Sequence, residues 1–348
     1  MRLVAIALLG ASCSLVRAHY PAPLAAGTEH HRVAVAPGVE LQLERYPAAA
    51  PVAGRRPVLL LHGIITNGRN FDVDERHSMA RWLAARGFDT WVLSLRGTGA
   101  STTPAWNFDF DTFANEDIPA AIAYVRQATG AAALDVVGHS MGGLLVYAVL
   151  ARGKALIATA VTLGAPERLG WLGVGGKFAP FVAVAGARLP WIPMRSLGAL
   201  YLPIAGVFDG PVERVLTNYG NVEPAAWQRF TAVGMDDLSP ALVGSFSRWL
   251  ETGAFDGDDG FDYRAALAHC DRPVLVVAGK ADAMAPVRSV LGGYRALGSK
   301  DKAFRIVGVE NGASADYGHM DLLIADHADR DVFPLVERWL LAHEARGL

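Results

Sequence analysis

The apolar positions along this chain change spacing in a way that predicts an alternating β/α protein. Arg32 to Tyr46 alternates between apolar and polar residues around Pro37-Gly38, which predicts a hairpin. An Ala/Pro/Gly-rich connector, Ala48 to Arg56, leads into the run Pro57-Val-Leu-Leu-Leu-His62. A continuous apolar run suits a strand covered on both faces, as in a parallel sheet. Asp74 to Arg86 carries Met79, Trp82 and Leu83 at helical spacing. The alternation continues with a strand at Thr90–Leu95, a helix at Phe113–Ala128, a strand at Leu134–Gly138, a helix at Met141–Ala151 and a strand at Ile157–Leu163.

The alternation then stops. From Pro166 to Gly260 the chain is rich in Gly, Pro, Trp and Phe, with apolar patches and no strand pattern. It resumes with a strand at Pro273–Ala278, a helix at Val287–Leu297, a strand at Ala303–Val309 and a last helix at Asp331–Ala345. The expected architecture is α/β: a doubly wound, mostly parallel sheet interrupted by a helical insertion. Its expected parts are a leader at 1–18, a first core segment at 19–165, a cap at 166–260 and a second core segment at 261–348.

Composition narrows the class. The 348 residues are 52% hydrophobic and 19% charged, so the chain has the makings of a large core. A mean hydropathy of +0.24 is high, yet no run of about 20 apolar residues accompanies it, which argues against a polytopic membrane protein. A net charge of -2 argues against a general nucleic-acid binder. Met1 to Ala18 reads as a signal peptide: Arg2, then the apolar Leu3 to Val16, then small residues at Val16-Arg17-Ala18. Export to the periplasm or the exterior is expected, with an uncleaved anchor or a cytoplasmic protein as the alternatives. The two cysteines, Cys13 and Cys270, cannot build a disulfide framework. Cys270 reads as a small buried hydrophobe.

The segment with the most chemical content is Leu134-Asp-Val-Val-Gly-His-Ser-Met-Gly-Gly143. It sets Gly-x-Ser-x-Gly, with Ser140 at its centre, between a buried strand and a helix. On such a turn the serine hydroxyl is exposed at the carboxyl end of the sheet and at a helix N-terminus, where free N–H groups stabilise an oxyanion. A serine hydroxyl needs a base and an orienting acid, which in this architecture follow it as acid and then histidine. Asp282 ends the strand-turn Val274-Leu-Val-Val-Ala-Gly-Lys-Ala-Asp282 and is the expected acid. His319, in Tyr317-Gly-His-Met-Asp321, is the expected base among ten histidines, because it lies on a loop at the same edge. Asp321 reads as structural, for example as a helix cap. His139 is expected to point away from Ser140 and to pack, and His62 to stabilise its loop. The backbone N–H groups of Ile64, after the first buried strand, and of Met141 are the expected oxyanion donors. This chemistry calls for no metal and no cofactor.

Together these residues resemble the α/β-hydrolase superfamily. The resemblance runs from about Pro57 to the C-terminus, through His62-Gly63, Leu95-Arg96-Gly97, Gly138-His-Ser-Met-Gly142, Gly279-Lys-Ala-Asp282 and Gly318-His319. Two stretches, His62-Gly-Ile-Ile-Thr-Asn-Gly-Arg-Asn-Phe71 and Trp106-Asn-Phe-Asp-Phe-Asp-Thr-Phe-Ala-Asn-Glu-Asp-Ile-Pro119, resemble acid-lipase-like and bacterial lipase or esterase members. Gly318-His-Met-Asp-Leu-Leu323 also resembles polyhydroxyalkanoate polymerase-like hydrolases, which carry a cysteine where this chain has Ser140. The resemblance implies hydrolysis of small-molecule or lipid esters, with transient contact at a lipid interface. An acyltransferase or polyester hydrolase with the same triad, and a non-catalytic binding protein on this fold, are the rival readings. Trp171, Phe178, Phe181, Trp191, Ile192, Leu200, Tyr201 and Phe208 are the apolar residues expected to line an acyl site from the insertion.

Other patterns carry less. Gly97-Thr-Gly-Ala-Ser-Thr102 lacks the third glycine of a dinucleotide fingerprint, Gly175-Gly-Lys177 lacks the rest of a phosphate loop, and Asp256-Gly-Asp-Asp-Gly260 reads as a solvated turn.

Overall fold

The computed structural model describes residues 19–20, 23–153, 156–169 and 189–344. The leader, Cys13, Gly175-Gly-Lys177 and three of the apolar insertion residues (Trp171, Phe178 and Phe181) lie outside the described residues.

Eight strands form one sheet: β1 (Glu29–Ala36), β2 (Val39–Tyr46), β3 (Val58–Leu61), β4 (Thr90–Ser94), β5 (Leu134–His139), β6 (Ile157–Leu163), β7 (Val274–Gly279) and β8 (Lys302–Val307). Their order across the sheet is β1-β2-β4-β3-β5-β6-β7-β8. The hairpin β1–β2 is antiparallel and joins β4 in antiparallel sense; from β4 to β8 every pairing is parallel. This is the expected α/β class, with the first hairpin at the edge.

The helices are α1 (Met79–Ala85), α2 (Ile118–Thr129), α3 (Met141–Arg152), then α4 (Met194–Tyr201), α5 (Pro211–Leu216), α6 (Pro224–Arg229) and α7 (Pro240–Thr252) between β6 and β7, and finally α8 (Val287–Ala296) and α9 (Phe333–Ala342). None among the described residues is long and apolar enough to cross a membrane.

The continuous apolar runs have a direct explanation in the packing. Alternate residues of one strand enter two separate cores. Leu59 and Leu61 of β3, Val136 of β5 and Val276 of β7 belong to one core, together with α2, α3 and α8. Val58 and Leu60, Val137 and Val277 belong to the other, together with α1 and α9. Both faces of the central strands are covered, which is why their apolar residues run continuously rather than alternate. The described part of the insertion feeds both cores: Trp249 of α7 enters the first, and Trp227 of α6 enters the second.

Three element boundaries differ from the sequence expectation. The first helix begins at Met79 rather than Asp74, because the Asp74 side chain accepts bonds from the backbone N–H of Arg76 and His77 and Ser78 supplies the N-cap. The second helical segment begins earlier, at Phe110, where Asp109 and Thr112 form a capping box; a π-helical stretch, Phe113–Asp117, then leads into α2. The last helix begins at Phe333, after a separate turn at Ala328–Asp331.

Candidate active site

Ser140 lies between the end of β5 and the start of α3, with φ 55° and ψ -120°. Among the described residues only Ile65 shares a positive φ without being glycine. Holding a serine there costs of order 1–3 kcal/mol, and the surroundings supply the constraint. Its N–H donates to Leu163 O on β6 at 2.8 Å, and its carbonyl accepts from Gly143 and Leu144 N–H at 2.9 and 3.1 Å. The flanking glycines are required by contact with backbone. A Cβ at Gly138 would lie 2.3 Å from Gly142 O, and one at Gly142 would lie 2.1 Å from Leu61 O. A third glycine, Gly143, is packed as closely, since a Cβ there would meet that of Ala165 at 2.6 Å.

The loops after β7 and β8 bring two further side chains to this turn. His319 Nε2 is 2.9 Å from Ser140 Oγ, and His319 Nδ1 is 2.8 Å from Asp282 Oδ2. All three residues are buried. The other carboxylate oxygen, Asp282 Oδ1, accepts the Ala285 N–H at 2.6 Å, which fixes the carboxylate plane. An aspartate can only accept here, so His319 Nδ1 carries the proton and Nε2 is free to accept the serine proton. The three residues expected from sequence therefore form one hydrogen-bonded line, with His319 between Asp282 and Ser140. Asp271, by contrast, sits before β7, exposed and beside Arg272.

The loop after β3 approaches from the other side. A Cβ on Gly63 would lie 3.2 Å from Ser140 Cβ, so Gly63 borders the serine. His62 holds this loop. Its Nε2 accepts the Leu95 N–H at 3.1 Å, which leaves Nδ1–H to donate to Gly63 O at 2.8 Å. Burial pushes its pKa down to about 4, partly offset by the bond to Gly63, so it is neutral near pH 7. That is the loop-stabilising part expected for it. Met141 opens α3, and its N–H lies in the first turn, where no intrahelical acceptor exists.

His139 does not contact the Ser140 hydroxyl, and it does more than pack. Its Nε2 lies 3.1 Å from His319 O, and its Nδ1 lies 3.2 Å from Asn70 Nδ2. Asp321 is structural, but it is not a side-chain cap. It is the first residue of its own short helix, and its carboxylate accepts from Gly318 N–H at 2.7 Å, Asn218 N–H and Asn221 Nδ2 at 2.9 Å. Burial raises its pKa to about 6 against the pull of these donors.

One contributor had no sequence signal. Asp236, in the insertion, is fully buried; it accepts from Asn67 Nδ2 at 2.9 Å and Gly99 N–H at 2.7 Å, and pairs with Arg195. Its own N–H donates to Ile65 O at 2.8 Å. This ties the strained loop after β3 to the insertion. Of the apolar insertion residues that are described, Ile192 is buried and Trp191 lies against Trp106, whereas Leu200 and Phe208 are exposed. Gly97 and Gly99 shape a turn against Phe108 and Ser94, and Asp256, Asp258 and Asp259 pair with Arg248 and Arg152.

Comparison with known proteins agrees with this architecture. Residues 56–191 match the family model for the alpha/beta hydrolase fold. A triacylglycerol lipase 2 from Arabidopsis thaliana is 32% identical over 136 residues, 34% of this chain and 32% of that protein. Sterol esterase 2 from Saccharomyces cerevisiae is 31% identical over 167 residues, 45% of this chain and 29% of that protein. The matched stretch thus spans about a third of the length of these relatives. A solved thermophilic esterase from Thermogutta terrifontis superposes over 91% of this chain and 100% of its own, with a TM-score of 0.61 and 16% identity. The match over residues 56–191 and the superposition concur on the architecture: the chain has the α/β-hydrolase fold.

Proposed function

We propose that this protein is a carboxylic ester hydrolase working through Ser140, Asp282 and His319. The observation that carries the reading is the unbroken hydrogen-bonded line from Asp282 through His319 to Ser140 on a strained strand–helix turn. His319 Nε2 takes the serine proton as Oγ attacks the ester carbonyl. The oxyanion is held by the backbone N–H groups of Ile64 and Met141. His319 then protonates the leaving alkoxide, and water, activated by the same imidazole, releases the acid from the acyl-enzyme. Asp282 orients the imidazole and stabilises the imidazolium.

The reading extends to lipidic esters and to transient contact with a lipid interface. Two of the matched relatives are a triacylglycerol lipase and a sterol esterase. Among the described residues, eight of the twelve exposed large hydrophobics fall in one stretch of the insertion: Leu189, Leu197, Leu200, Ile204, Val207, Phe208, Val212 and Tyr219. Such a concentration suits a cap that meets acyl chains. The leader at 1–18 adds export to the proposal.

The test is turnover of p-nitrophenyl esters of increasing chain length by the wild type and Ser140→Ala, together with fluorophosphonate labelling. Label on Ser140 and loss of turnover in the variant are expected. Retained turnover would remove Ser140 from the mechanism, and an unlabelled, inactive wild type would favour a binding role for the fold.

A further inference from the structure

We propose that Asn70 and His139 form a positioning pair that sets the backbone and the ring of His319. This deepens the reading of Ser140, Asp282 and His319 and rests on it for its kinetic arm.

The argument starts from what each atom can do. His139 Nε2 faces the carbonyl oxygen of His319 at 3.1 Å. A carbonyl oxygen only accepts, so Nε2 must carry a proton. Both His139 and Asn70 are buried, at 1% exposure each. Burial, with the neighbouring His319 acting in the same direction, holds the His139 pKa well below its usual value, so the ring is neutral and has one proton to place. With that proton on Nε2, Nδ1 is an acceptor. The group opposite it at 3.2 Å is Asn70 Nδ2, a donor. Asn70 thus selects the tautomer that His139 needs in order to donate to His319. The amide's other end, Oδ1, is buried without a partner among the described residues.

Position makes this pair consequential. Asn70 lies in the Gly68–Phe71 turn of the loop after β3, His139 immediately precedes Ser140, and His319 lies on the loop after β8. One chain of two hydrogen bonds therefore links two separate loops through the last residue of β5, beside the serine. The His139 and His319 rings are also in contact, with centroids 4.8 Å apart. A neutral His139 presents no opposing charge when His319 becomes cationic during turnover. A cationic His139 at this distance would oppose that step.

Two measurements test the proposal. In ¹⁵N-labelled wild-type protein, the imidazole of His139, assigned by its loss in His139→Gln, should show the neutral Nε2–H tautomer. In Asn70→Asp a carboxylate can only accept, so Nδ1 should become protonated. An Nδ1–H or cationic His139 in the wild type, or an unchanged Nε2–H tautomer in Asn70→Asp, would overturn the proposal without bearing on Ser140. Kinetically, His139→Phe keeps a ring but loses the donor and should lower kcat about 10–100-fold, with KM within about twofold. His139→Gln keeps an N–H donor and should recover most of the loss. Equal losses in both variants, or a folded His139→Phe with wild-type kcat, would show that packing alone matters.

Discussion

The Asp321 carboxylate accepts a hydrogen bond from the Asn221 side chain at 2.9 Å, and so ties the loop that carries His319 to the segment between β6 and β7. The same oxygen accepts from the Gly318 N–H, one residue before His319. Gly318 is pressed against that segment too, since a Cβ there would lie 2.4 Å from Asn218 N. His319 is thus seated partly by residues of the insertion.

That contact predicts a pH dependence of stability. Burial raises the Asp321 pKa from 3.8 to about 6. The folded state then binds the proton more tightly than the unfolded state, so the contribution to stability is full below about pH 4 and is lost as pH rises through about 6. Its size is on the order of 1–3 kcal/mol. Asp321→Asn should flatten this component between pH 4 and 7, as read by urea unfolding at a series of pH values. An identical pH profile in the variant would contradict it.

Asp282→Asn should lower kcat by about 10³–10⁴-fold while leaving the fold intact. The amide can keep the Ala285 N–H bond through its oxygen, which places NH₂ against His319 Nδ1. Nδ1 must then accept, and the proton moves to Nε2, where it blocks removal of the serine proton. Single-turnover kinetics with p-nitrophenyl butyrate, alongside circular dichroism, would measure both parts.

Asp236→Ala should destabilise the protein by about 1–3 kcal/mol, because it removes the buried acceptor of the Asn67 side chain and the Gly99 N–H and the partner of the partly exposed Arg195. It should also lower kcat, since the Asp236 carboxylate accepts from the side chain of Asn67, on the same loop as Gly63 beside Ser140. Denaturation midpoints and steady-state rates on one preparation would separate the two effects.

Glycine substitutions should divide sharply by what a Cβ would meet. Gly142→Ala drives a carbon to 2.1 Å from Leu61 O, and a loss of about 4 kcal/mol or failure to fold is expected. Gly244→Ala, in α7 with nothing within 4 Å, should instead stabilise by about 0.5–1 kcal/mol. Thermal unfolding of the two variants would show opposite signs.

Much of the site was legible in the sequence because it sits on the parts with the strongest pattern. Ser140, Asp282 and His319 each follow a strand, and strands buried on both faces announce themselves as apolar runs. A residue that follows such a run belongs to the carboxyl edge of a parallel sheet. Helix starts were less legible: Asp74 looks like an N-terminal acid in sequence, but its side chain closes a turn ahead of Ser78. Asp236 had no signal at all, since it lies where periodicity fails and its partners Gly99 and Asn67 are 137 and 169 residues away in the chain. Asn70 stood inside a stretch that drew attention for other reasons, and nothing local pointed it at His139.

By itself, then, the sequence determined the alternation of strands and helices, the strand-to-helix turn at Ser140 and the placing of Asp282 and His319 on later loops at the same edge. These follow from short-range periodicity and from glycines that backbone contact makes irreplaceable. Only the tertiary structure decided the partners of those residues: His139 against the His319 carbonyl, Asp321 against Asn221, Asp236 against the loop after β3. A hydrogen bond between buried groups depends on distance and direction at the level of tenths of an ångström. Those quantities are set by how the two cores pack on the sheet, and no spacing along the chain records them.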